Sequence, residues 1–448
     1  MNYISENDRK LASMLGLGIS FDVVRKEIGT NIKGAVYFLS SLVDDLQLTM
    51  LNENIIDLDG NINIPTKISN GTVELESDIN KVFVSVSTGV SVLISENEMY
   101  CIDTRSYPSR SINEPSTEQT IRGSRDGFNE NIITNVGLIR RRIKSPFFRC
   151  PIISVGDETK TDVSLLYLEN RADPDMVNDL LDKLSNTQTK DLVMSDRKLE
   201  EKLFKQNFNP FPLVRYSERP DLVAAHLIKG HVAIIVDTSA SVITTPTTLF
   251  EHTKHVEEYR QAPSSGTLIR LIRYTAILLS IFLVPIWMIT VENTDFSSFL
   301  LLKPTASSPL SLFAQILIVE LTIELLRIAT VHTPNHLSSA MGLIATLILG
   351  QMAVDIGVFQ AEVLLYCSLS SIGGFATPSY ELSLANKIVK LSLIVLVGLL
   401  GSTGFIIGFG FLIIFLSSIK IYKTPYFYPL IPFNLRELSR IIFRPSIY

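Results

Sequence analysis

The sequence predicts a two-lobed α/β region on the cytoplasmic side, followed by an α-helical polytopic membrane domain. Hydrophobic residues make up 46% of the 448 positions and the mean hydropathy is +0.28, which is more apolar than an ordinary soluble enzyme. Residues 263–448 carry 11 Lys or Arg and 8 Asp or Glu, whereas residues 1–262 carry 29 and 37. Strand and helix patterns alternate in the acidic part, and long apolar runs fill the basic part.

The soluble region is predicted to form a first lobe at 1–115 and a second lobe at 116–246. A polar stretch with two prolines, 107–118, separates them. The alternation of apolar and polar residues predicts strands at 34–40, 89–94, 99–105, 151–155, 163–169, 213–216 and 232–236. Helices are predicted at 44–56, at 128–139, after the Asp173-Pro174 cap and after Pro220.

Few residues of the soluble part suggest chemistry. Three cysteines, Cys101, Cys150 and Cys367, have no short spacing, so we expect neither a disulfide framework nor a zinc site, which fits a reducing cytoplasm. The first ten residues lack an apolar segment, so we expect no cleavable signal peptide. Nucleotide-binding, serine hydrolase and metalloprotease motifs are absent from the sequence. We therefore expect no enzyme, no cofactor and no nucleic-acid partner.

Residues 237–241 spell Asp-Thr-Ser-Ala-Ser, the D-x-S-x-S pattern that begins a von Willebrand A-type metal site. Such a site leads into a helix, whereas the next residues are typical of a strand, so we favour a hairpin turn. Histidine is a common metal ligand, and two pairs of histidines are close in the sequence: His252 with His255, and His332 with His336. Pro334 interrupts the second pair and acidic residues surround the first, so we favour a solvated surface for both.

A linker helix is predicted at 247–266, and a membrane domain of four to six helices at 267–423. Its first apolar runs are 268–291, 310–330, 337–359 and 361–377. The first three are long enough to cross a bilayer. The fourth is shorter and is interrupted by Gly373 and Gly374.

The last apolar run, 388–419, is longer than one span of about 20 residues requires. It contains five glycines in its middle, so it is either a kinked helix or a tight, re-entrant hairpin. Lys387 and Lys390 flank one end, and Lys420 and Lys423 flank the other. The positive-inside rule places both ends on the cytoplasmic side, which favours the hairpin. We expect six passes, or four passes and a re-entrant element, with both termini cytoplasmic.

Residues 424–448 are predicted to form a basic amphipathic segment. Asn434 can cap a helix that has Leu435, Leu438 and Ile442 on one face and Arg436, Arg440 and Arg444 on the other. Such a helix lies on the cytoplasmic leaflet or packs on the soluble lobes, and the sequence favours neither.

The run 310–330 carries Glu320, Glu324 and Arg327 within a narrow arc of one helix face. An ionised group at bilayer depth costs about 2.5–3.5 kcal/mol on insertion scales, so this face must contact helices, a partner chain or water. The next run adds Gln351 and Asp355, and Glu362 follows just beyond it. Small residues line the opposite face of that run: Ser339, Gly342, Thr346, Gly350, Ala353 and Gly357. Such a strip allows close helix packing, its commoner use, or lines a narrow wet path.

Two interpretations of these charges have equal weight. One is a cation pathway lined by Glu320, Glu324, Asp355 and Glu362. The other is a buried ion-pair network in which Arg327 neutralises the glutamates. Because Arg327 can neutralise only one of Glu320 and Glu324, we expect the other to bind a partner chain or a passing cation.

Several runs resemble the GerA family of spore germination proteins. They are IRGSRDGFNENIITNVGLIRRR, YSERPDLVAAHLIKGHVAIIVDTS, HTPNHLSSAMGLIATLILGQMAVDIGVF and FATPSYELSLANKIVKL. The resemblance extends from about Gly16 to the C-terminus. Two more runs, VDTSASVITTPTTLFEHTKHVEEYRQ and YKTPYFYPLIPFN, are similar to one branch of the family, a paralogue of the receptor A subunits.

The resemblance implies a multi-pass protein of the spore inner membrane that acts in germination. It implies a homo-oligomeric ring, a pentamer, that conducts monovalent cations and works with other germination membrane proteins. For the paralogous branch it implies amplification of the ion release that receptors start. The rival hypothesis is a non-conducting membrane scaffold or signalling subunit. A secondary transporter ranks last, because no inverted repeat is visible in the spans.

Overall fold

The computed structural model divides the chain into two compact units. Unit 1 comprises Met1–Asn207 and Leu213–Pro246, and unit 2 comprises Phe208–Pro212 and Thr247–Tyr448. The structure describes residues 3–28, 34–55, 67–68, 71–96, 98–106, 115, 118, 120, 122–187, 195–204, 206–292, 303–304, 307–332 and 354–443. Most of the predicted linker at 107–118 and most of the predicted span at 337–359 lie outside these residues.

The first lobe of unit 1 is a six-stranded antiparallel sheet of order β1-β2-β5-β6-β4-β3. Its elements are α1 (Glu6–Leu15), β1 (Val23–Ile28), β2 (Gly34–Leu39), α2 (Asp45–Ile55), β3 (Lys67–Ile68), β4 (Gly71–Leu75), α3 (Ile79–Ser87), β5 (Ser91–Ser95) and β6 (Met99–Ile102). Every residue of β2 is buried. Tyr37 belongs to the core that includes α1 and α3, and Phe38 to the core that includes α2. Because both faces of β2 are covered, its sequence is a continuous apolar run.

The second lobe contains a sheet of order β10-β12-β11-β9-β7, with β8 also paired to β9. Its elements are α4 (Ile132–Arg140), β7 (Phe148–Arg149), β8 (Ile152–Val155), β9 (Thr161–Leu168), α5 (Pro174–Ser185), α6 (Ser195–Phe204), β10 (Arg215–Ser217), α7 (Pro220–Ile228), β11 (Val232–Val236) and β12 (Val242–Thr245). All pairs between described strands are antiparallel, both in hairpins such as β5–β6 and β11–β12 and between non-consecutive strands such as β2–β5 and β9–β11. The alternation of strands and helices therefore does not produce a parallel sheet.

Asp22 and Arg140 join the two lobes through a buried ion pair. Arg140 donates from Nη2 to Asp22 Oδ1 at 2.8 Å and from Nε to Oδ2 at 3.0 Å. Cys150 Sγ donates to the same carboxylate at 3.1 Å, and Ser41 Oγ donates to it at 3.0 Å. All four side chains are buried, so the pair is a fixed part of unit 1.

The electrostatics of this pair assign Cys150 a structural role. Burial disfavours the ionised carboxylate of Asp22, but Arg140 and the hydrogen bonds outweigh burial and lower the pKa of Asp22. Burial raises the pKa of the Cys150 thiol, and the adjacent carboxylate raises this pKa further. The thiol is therefore a neutral hydrogen-bond donor and not a nucleophile.

Unit 2 is mainly helical. Its elements are α8 (Leu249–His252), α9 (Val256–Arg260), α10 (Pro263–Glu292), α11 (Leu312–His332), α12 (Ala361–Phe375), α13 (Tyr380–Ser418), β13 (Lys420–Ile421), β14 (Thr424–Pro425) and α14 (Leu435–Ile442). Two of the described helices, α10 and α13, are long and apolar enough to cross a membrane by length and composition. Helices α10 to α13 share an apolar core, in which Trp287 and Tyr366 stack with ring centroids 4.4 Å apart.

Helix α13 consists of two arms that fold back at Gly401, whose φ of +59° lies outside the helical region. A Cβ at Gly404 would overlap the Leu396 carbonyl oxygen, and one at Gly408 would lie 2.7 Å from Leu393 Cδ2. In a single straight helix, residues 393 and 408 would be about 22 Å apart. The structure therefore has the hairpin and not the kinked helix.

The first arm of the hairpin begins at Tyr380, eight positions before the predicted boundary at 388. Ser379 caps it, because its Oγ accepts from the backbone N–H of Leu382 at 3.2 Å. Lys387 and Lys390 therefore lie inside the arm. Their position at the cytoplasmic end of the apolar run stays a prediction.

The connection at 247–266 differs from the predicted single linker helix. It contains the short helices α8 and α9 and the start of α10. The His255 ring accepts from the backbone N–H of Glu257 and caps α9, and Pro263 begins α10. These two start signals divide the segment.

The C-terminal helix α14 is capped by Asn434, as predicted, through a hydrogen bond from the backbone N–H of Glu437 at 3.2 Å. At its other end, Arg270 Nη1 of α10 donates to the carbonyl oxygens of Arg440 and Ile441 at 3.2 and 2.9 Å. A cation at the last carbonyls of a helix is favourable. Helix α14 is thus attached to α10 within unit 2.

The short segment Phe208–Pro212 belongs to unit 2, although the chain on both sides of it belongs to unit 1. The Phe211 ring lies 6.2 Å from the ring of Phe415 at the end of the hairpin and 6.2 Å from that of Tyr426. The chain therefore passes between the units three times, at 207/208, 212/213 and 246/247.

Candidate functional site

Helix α11 positions the three charged residues that the sequence singles out. Glu320, Glu324 and Arg327 are four and three residues apart, so they lie along one helix face. Glu320 is 7% exposed, whereas Leu325 on the other side of the helix is 68% exposed. The charged face points towards the neighbouring helices, and the outward face is apolar.

The partner of Glu320 is Lys390 in the first arm of α13. Lys390 Nζ lies 2.6 Å from Glu320 Oε2, and the side chains are 4% and 6% exposed. Lys390 Nζ also donates to Ser370 Oγ on α12 at 3.3 Å. Glu320 therefore has its cation within the same chain, and the expectation that a partner chain or a passing cation neutralises it is not met in this state.

Glu324 binds two cations. Arg327 donates to Glu324 Oε1 from Nη2 at 2.5 Å and from Nε at 3.0 Å, and Lys387 of α13 contacts Oε2. The Arg327 guanidinium also lies over the ring of Tyr380, 5.5 Å from its centroid. We call Glu320, Glu324, Arg327, Lys387 and Lys390 the charged network.

Helices α10 and α12 complete this layer. Ser370 Oγ donates to the backbone carbonyl of Ser280 on α10 at 2.9 Å. Gly373 lies against the carbonyl of Ala276, where a Cβ would clash, so the helices approach closely. Side chains or backbone from four helices thus meet at one level of the bundle.

A small cleft opens beside the charged network. It is lined in part by Ser280, Arg327, Ser370, Asn386, Lys387 and Lys390. Glu320 and Glu324, which bind these cations, are not part of this lining. The charged groups of the lining are therefore all positive, and Ile323 and Phe375 add apolar surface.

The other two predicted pathway residues are Asp355 and Glu362. Asp355 is exposed, and Glu362 is half-buried in the first turn of α12. The adjacent Gln360 N–H donates to Gln315, which precedes Glu320 on α11, so Glu362 lies nearer the start of that helix than Glu324 does. The cation pathway lined by these four carboxylates stays a prediction.

Most of the small-residue strip cannot be compared with the structure. Gln351 and the strip residues Ser339, Gly342, Thr346, Gly350 and Ala353 lie outside the described residues. Gly357 is described, and its φ of +78° places it in a turn and not on a helix face. A strip that continues to Gly357 on one helix is wrong, because this backbone conformation ends a helix.

Sequence reasoning missed the network role of Lys387 and Lys390. Their three-residue spacing matches the four-residue spacing of Glu320 and Glu324, since either pair spans about one turn of a facing helix. This spacing was the available signal. The positive-inside rule assigned both lysines to a membrane boundary instead.

The Asp-Thr-Ser-Ala-Ser motif is a hairpin turn between β11 and β12. Asp237 Oδ1 accepts from the backbone N–H of Ile132 at 3.1 Å, and Ser239 Oγ accepts from the N–H of Ser241 at 3.2 Å. The residues described contain no cluster of His, Cys, Asp and Glu that could hold a metal ion. His252 is buried beside Tyr426, not solvated as expected, and His336 is outside the described residues.

Comparison with known proteins identifies the family. The model of the Bacillus/Clostridium GerA spore germination protein matches residues 9–448. The chain belongs to the GerA family. This GerA-family chain is 43% identical to stage V sporulation protein AF of Bacillus subtilis (strain 168), over 99% of the chain and 92% of that protein. The family expected from the sequence runs is thus confirmed.

Two further matches are to a spore germination protein and to a domain of a germinant receptor. The GerA-family chain is 28% identical to spore germination protein KA of Bacillus subtilis (strain 168), over 96% of the chain and 82% of that protein. A crystal structure of the N-terminal domain of the A subunit of the Bacillus megaterium spore germinant receptor GerK3 also matches. It covers 55% of the chain and 95% of the domain, with 23% identity and a TM-score of 0.41.

Proposed function

We propose that this chain is a spore inner-membrane protein of germination and a subunit of an oligomeric channel that releases monovalent cations. The observation that carries the proposal is the charged network, which lies inside a helical bundle with an apolar outer face. Ionisable groups at such positions are functional candidates by default. Membership of the GerA family supports a role in spore germination.

The proposed assembly is a homo-oligomer, a pentamer, with both termini on the cytoplasmic side. Its proposed partners are other germination membrane proteins. We propose a role in amplifying ion release, as the resemblance to the paralogous branch implies; the identity of 43% to stage V sporulation protein AF, against 28% to spore germination protein KA, supports membership of that branch. A ring of subunits would place one charged network per subunit around a common path.

Conduction requires a change in the charged network. Each network glutamate binds a lysine of α13, so neither carboxylate is available to a passing cation in this state. Movement of the first arm of α13 relative to α11 would separate both pairs together. We propose that the structure represents the closed state and that this movement opens the path.

The complete pairing of the network glutamates also favours a second function. A non-conducting scaffold or signalling subunit would use the same ion pairs to fix the register of α11 against α13. In that case the helices only dock in the membrane, and the soluble lobes bind partners.

Ion flux separates the two functions. The full-length protein would be reconstituted in liposomes, its oligomeric size measured, and potassium efflux recorded for the wild type, Glu320→Gln and Glu324→Gln. If the protein is a channel, the wild type should release potassium, and the rate of potassium efflux should change about tenfold in both variants. This change corresponds to about 1.4 kcal/mol. Glu437→Gln, in the exposed pair with Arg440, is the matched control and should conduct normally. If the wild-type protein forms intact oligomers but shows no potassium efflux, the result would support the scaffold.

A further inference from the structure

The cleft beside the charged network has the opposite sign from a cation site. Arg327, Lys387 and Lys390 line it, and its described lining contains no carboxylate. Each of these cations is bound by Glu320 or Glu324, and neither carboxylate belongs to the lining. The five charges of the network sum to +1, and the positive groups are those that a ligand in the cleft would meet. This arrangement repels a cation and attracts an anion.

Hydrogen-bond donors are available at the same place. The Lys390 ammonium has three N–H groups, and the described contacts use two of them, to Glu320 and to Ser370. Asn386 lies one turn before Lys390 on the same arm and is 7% exposed. Within the described part of the chain, its Nδ2 has no acceptor. A buried amide without an acceptor is costly, and a ligand oxygen in the cleft would satisfy it.

The rim of the cleft is apolar on one side. Ile323 of α11 and Phe375 of α12 belong to its lining, and the Phe375 side chain is 69% exposed. A charged centre with an apolar edge, between helices of a bundle, is the arrangement in which basic pockets bind lipid head groups. An oxyanion with several acceptor oxygens matches ammonium, guanidinium and amide donors on different sides.

We infer that this cleft binds a phosphate oxyanion, carried by an anionic lipid head group or by free phosphate. Lys390 and Asn386 donate hydrogen bonds to its oxygens, and Lys387 and Arg327 supply charge. The ligand adds negative charge on the open side of the lysines, and so holds the first arm of α13 against α11 and α12. Binding does not depend on conduction, so it can be tested whether or not the protein forms a channel.

The test uses the full-length protein. Thermal unfolding in a non-ionic detergent is measured with sodium phosphate or sodium chloride at matched ionic strength. A second arm uses nanodiscs of phosphatidylcholine, with or without phosphatidylglycerol, and native mass spectrometry of the retained lipid. Saturable stabilisation by phosphate identifies free phosphate as a ligand. Stabilisation and retention by phosphatidylglycerol alone identify the lipid head group. Wild-type protein that shows neither effect overturns the inference.

Variants localise the binding. Asn386→Leu and Lys387→Gln should raise the dissociation constant about tenfold or more, because each removes a donor or a charge from the cleft. Lys420→Gln makes the same change in net charge at an exposed position outside the cleft and should bind like the wild type. An equal loss in Lys420→Gln would mean that general charge attraction accounts for binding, which would also overturn the inference. The comparison of wild-type protein with and without ligand tests the inference by itself. The test therefore remains decisive even if a variant fails to fold.

Discussion

Glu320 and Lys390 form a buried ion pair between α11 and the first arm of α13, with 2.6 Å between Oε2 and Nζ. Taking two charges out of water costs several kcal/mol for each ion, and their attraction recovers this only in good geometry. Such a pair fixes helix register more than it adds stability. In this bundle it sets the position of α13 on α11.

Removal of one partner should therefore be far more harmful than removal of both. We expect Lys390→Met to destabilise the protein by about 3–5 kcal/mol, because the Glu320 carboxylate is left buried and unpaired. The double variant Glu320→Leu with Lys390→Met should recover most of that loss. Apparent melting temperatures of the detergent-solubilised protein give the comparison. Additive losses in the double variant would show that the two groups do not interact.

The ion pair between the two lobes of unit 1 should behave in the same way. Arg140→Met leaves the Asp22 carboxylate buried without its cation and should destabilise unit 1 by about 3–5 kcal/mol. Limited proteolysis of the full-length chain measures this as faster cleavage within 1–246. Arg105→Met, which removes the exposed pair with Asp103, is the matched control and should change little. Resistance of Arg140→Met to protease equal to that of the control would contradict the prediction.

The Asp22 pair also predicts a pH dependence. The pKa of Asp22 is lower in the folded protein than in the unfolded chain, where it is about 3.9. Its contribution to stability is present above that value and is lost as the pH falls towards the folded pKa. The stability advantage of the wild type over Asp22→Asn should therefore be constant near pH 7 and shrink below about pH 4. An advantage that grows on acidification would have the wrong sign.

The hairpin of α13 makes a prediction about glycines. Gly404→Ala places a methyl group on the Leu396 carbonyl oxygen, so we expect a loss of about 1–3 kcal/mol from overpacking. Gly410 lies in the same arm with open space around it. Gly410→Ala should be neutral or stabilising by up to about 1 kcal/mol through helix propensity. Unfolding temperatures of the two variants test this directly, and equal effects would argue against arms in contact.

Local signals predicted much of the fold. Asp173 with Pro174, Pro220 and Asn434 each begin a helix at the position where capping chemistry places them. The bounds of α11 differ by two residues from those of the apolar run at 310–330. These features depend on neighbours within one turn of the chain, and a sequence carries that information directly.

Long-range pairing was not predictable in the same way. Glu324 and Lys387 are 63 residues apart, and no local pattern says that two helices will meet there. The apolar run begins at 388, so hydropathy alone does not predict that α13 begins at Tyr380. Pro378 and the cap at Ser379 are local signals for this earlier start. With the arm starting at Tyr380, the facing lysines follow from helix spacing. Sequence patterns therefore give the charges, and the structure gives their partners.

The three passages of the chain between units limit how the protein can be recombined. An exchange of residues 1–246 with those of a relative would separate Phe211 from Phe415 and Tyr426, whose rings lie beside it in this protein. A functional chimera must keep residues 208–212 from the donor of the helical unit. Five residues in the middle of the sequence of unit 1 must therefore be exchanged together with unit 2.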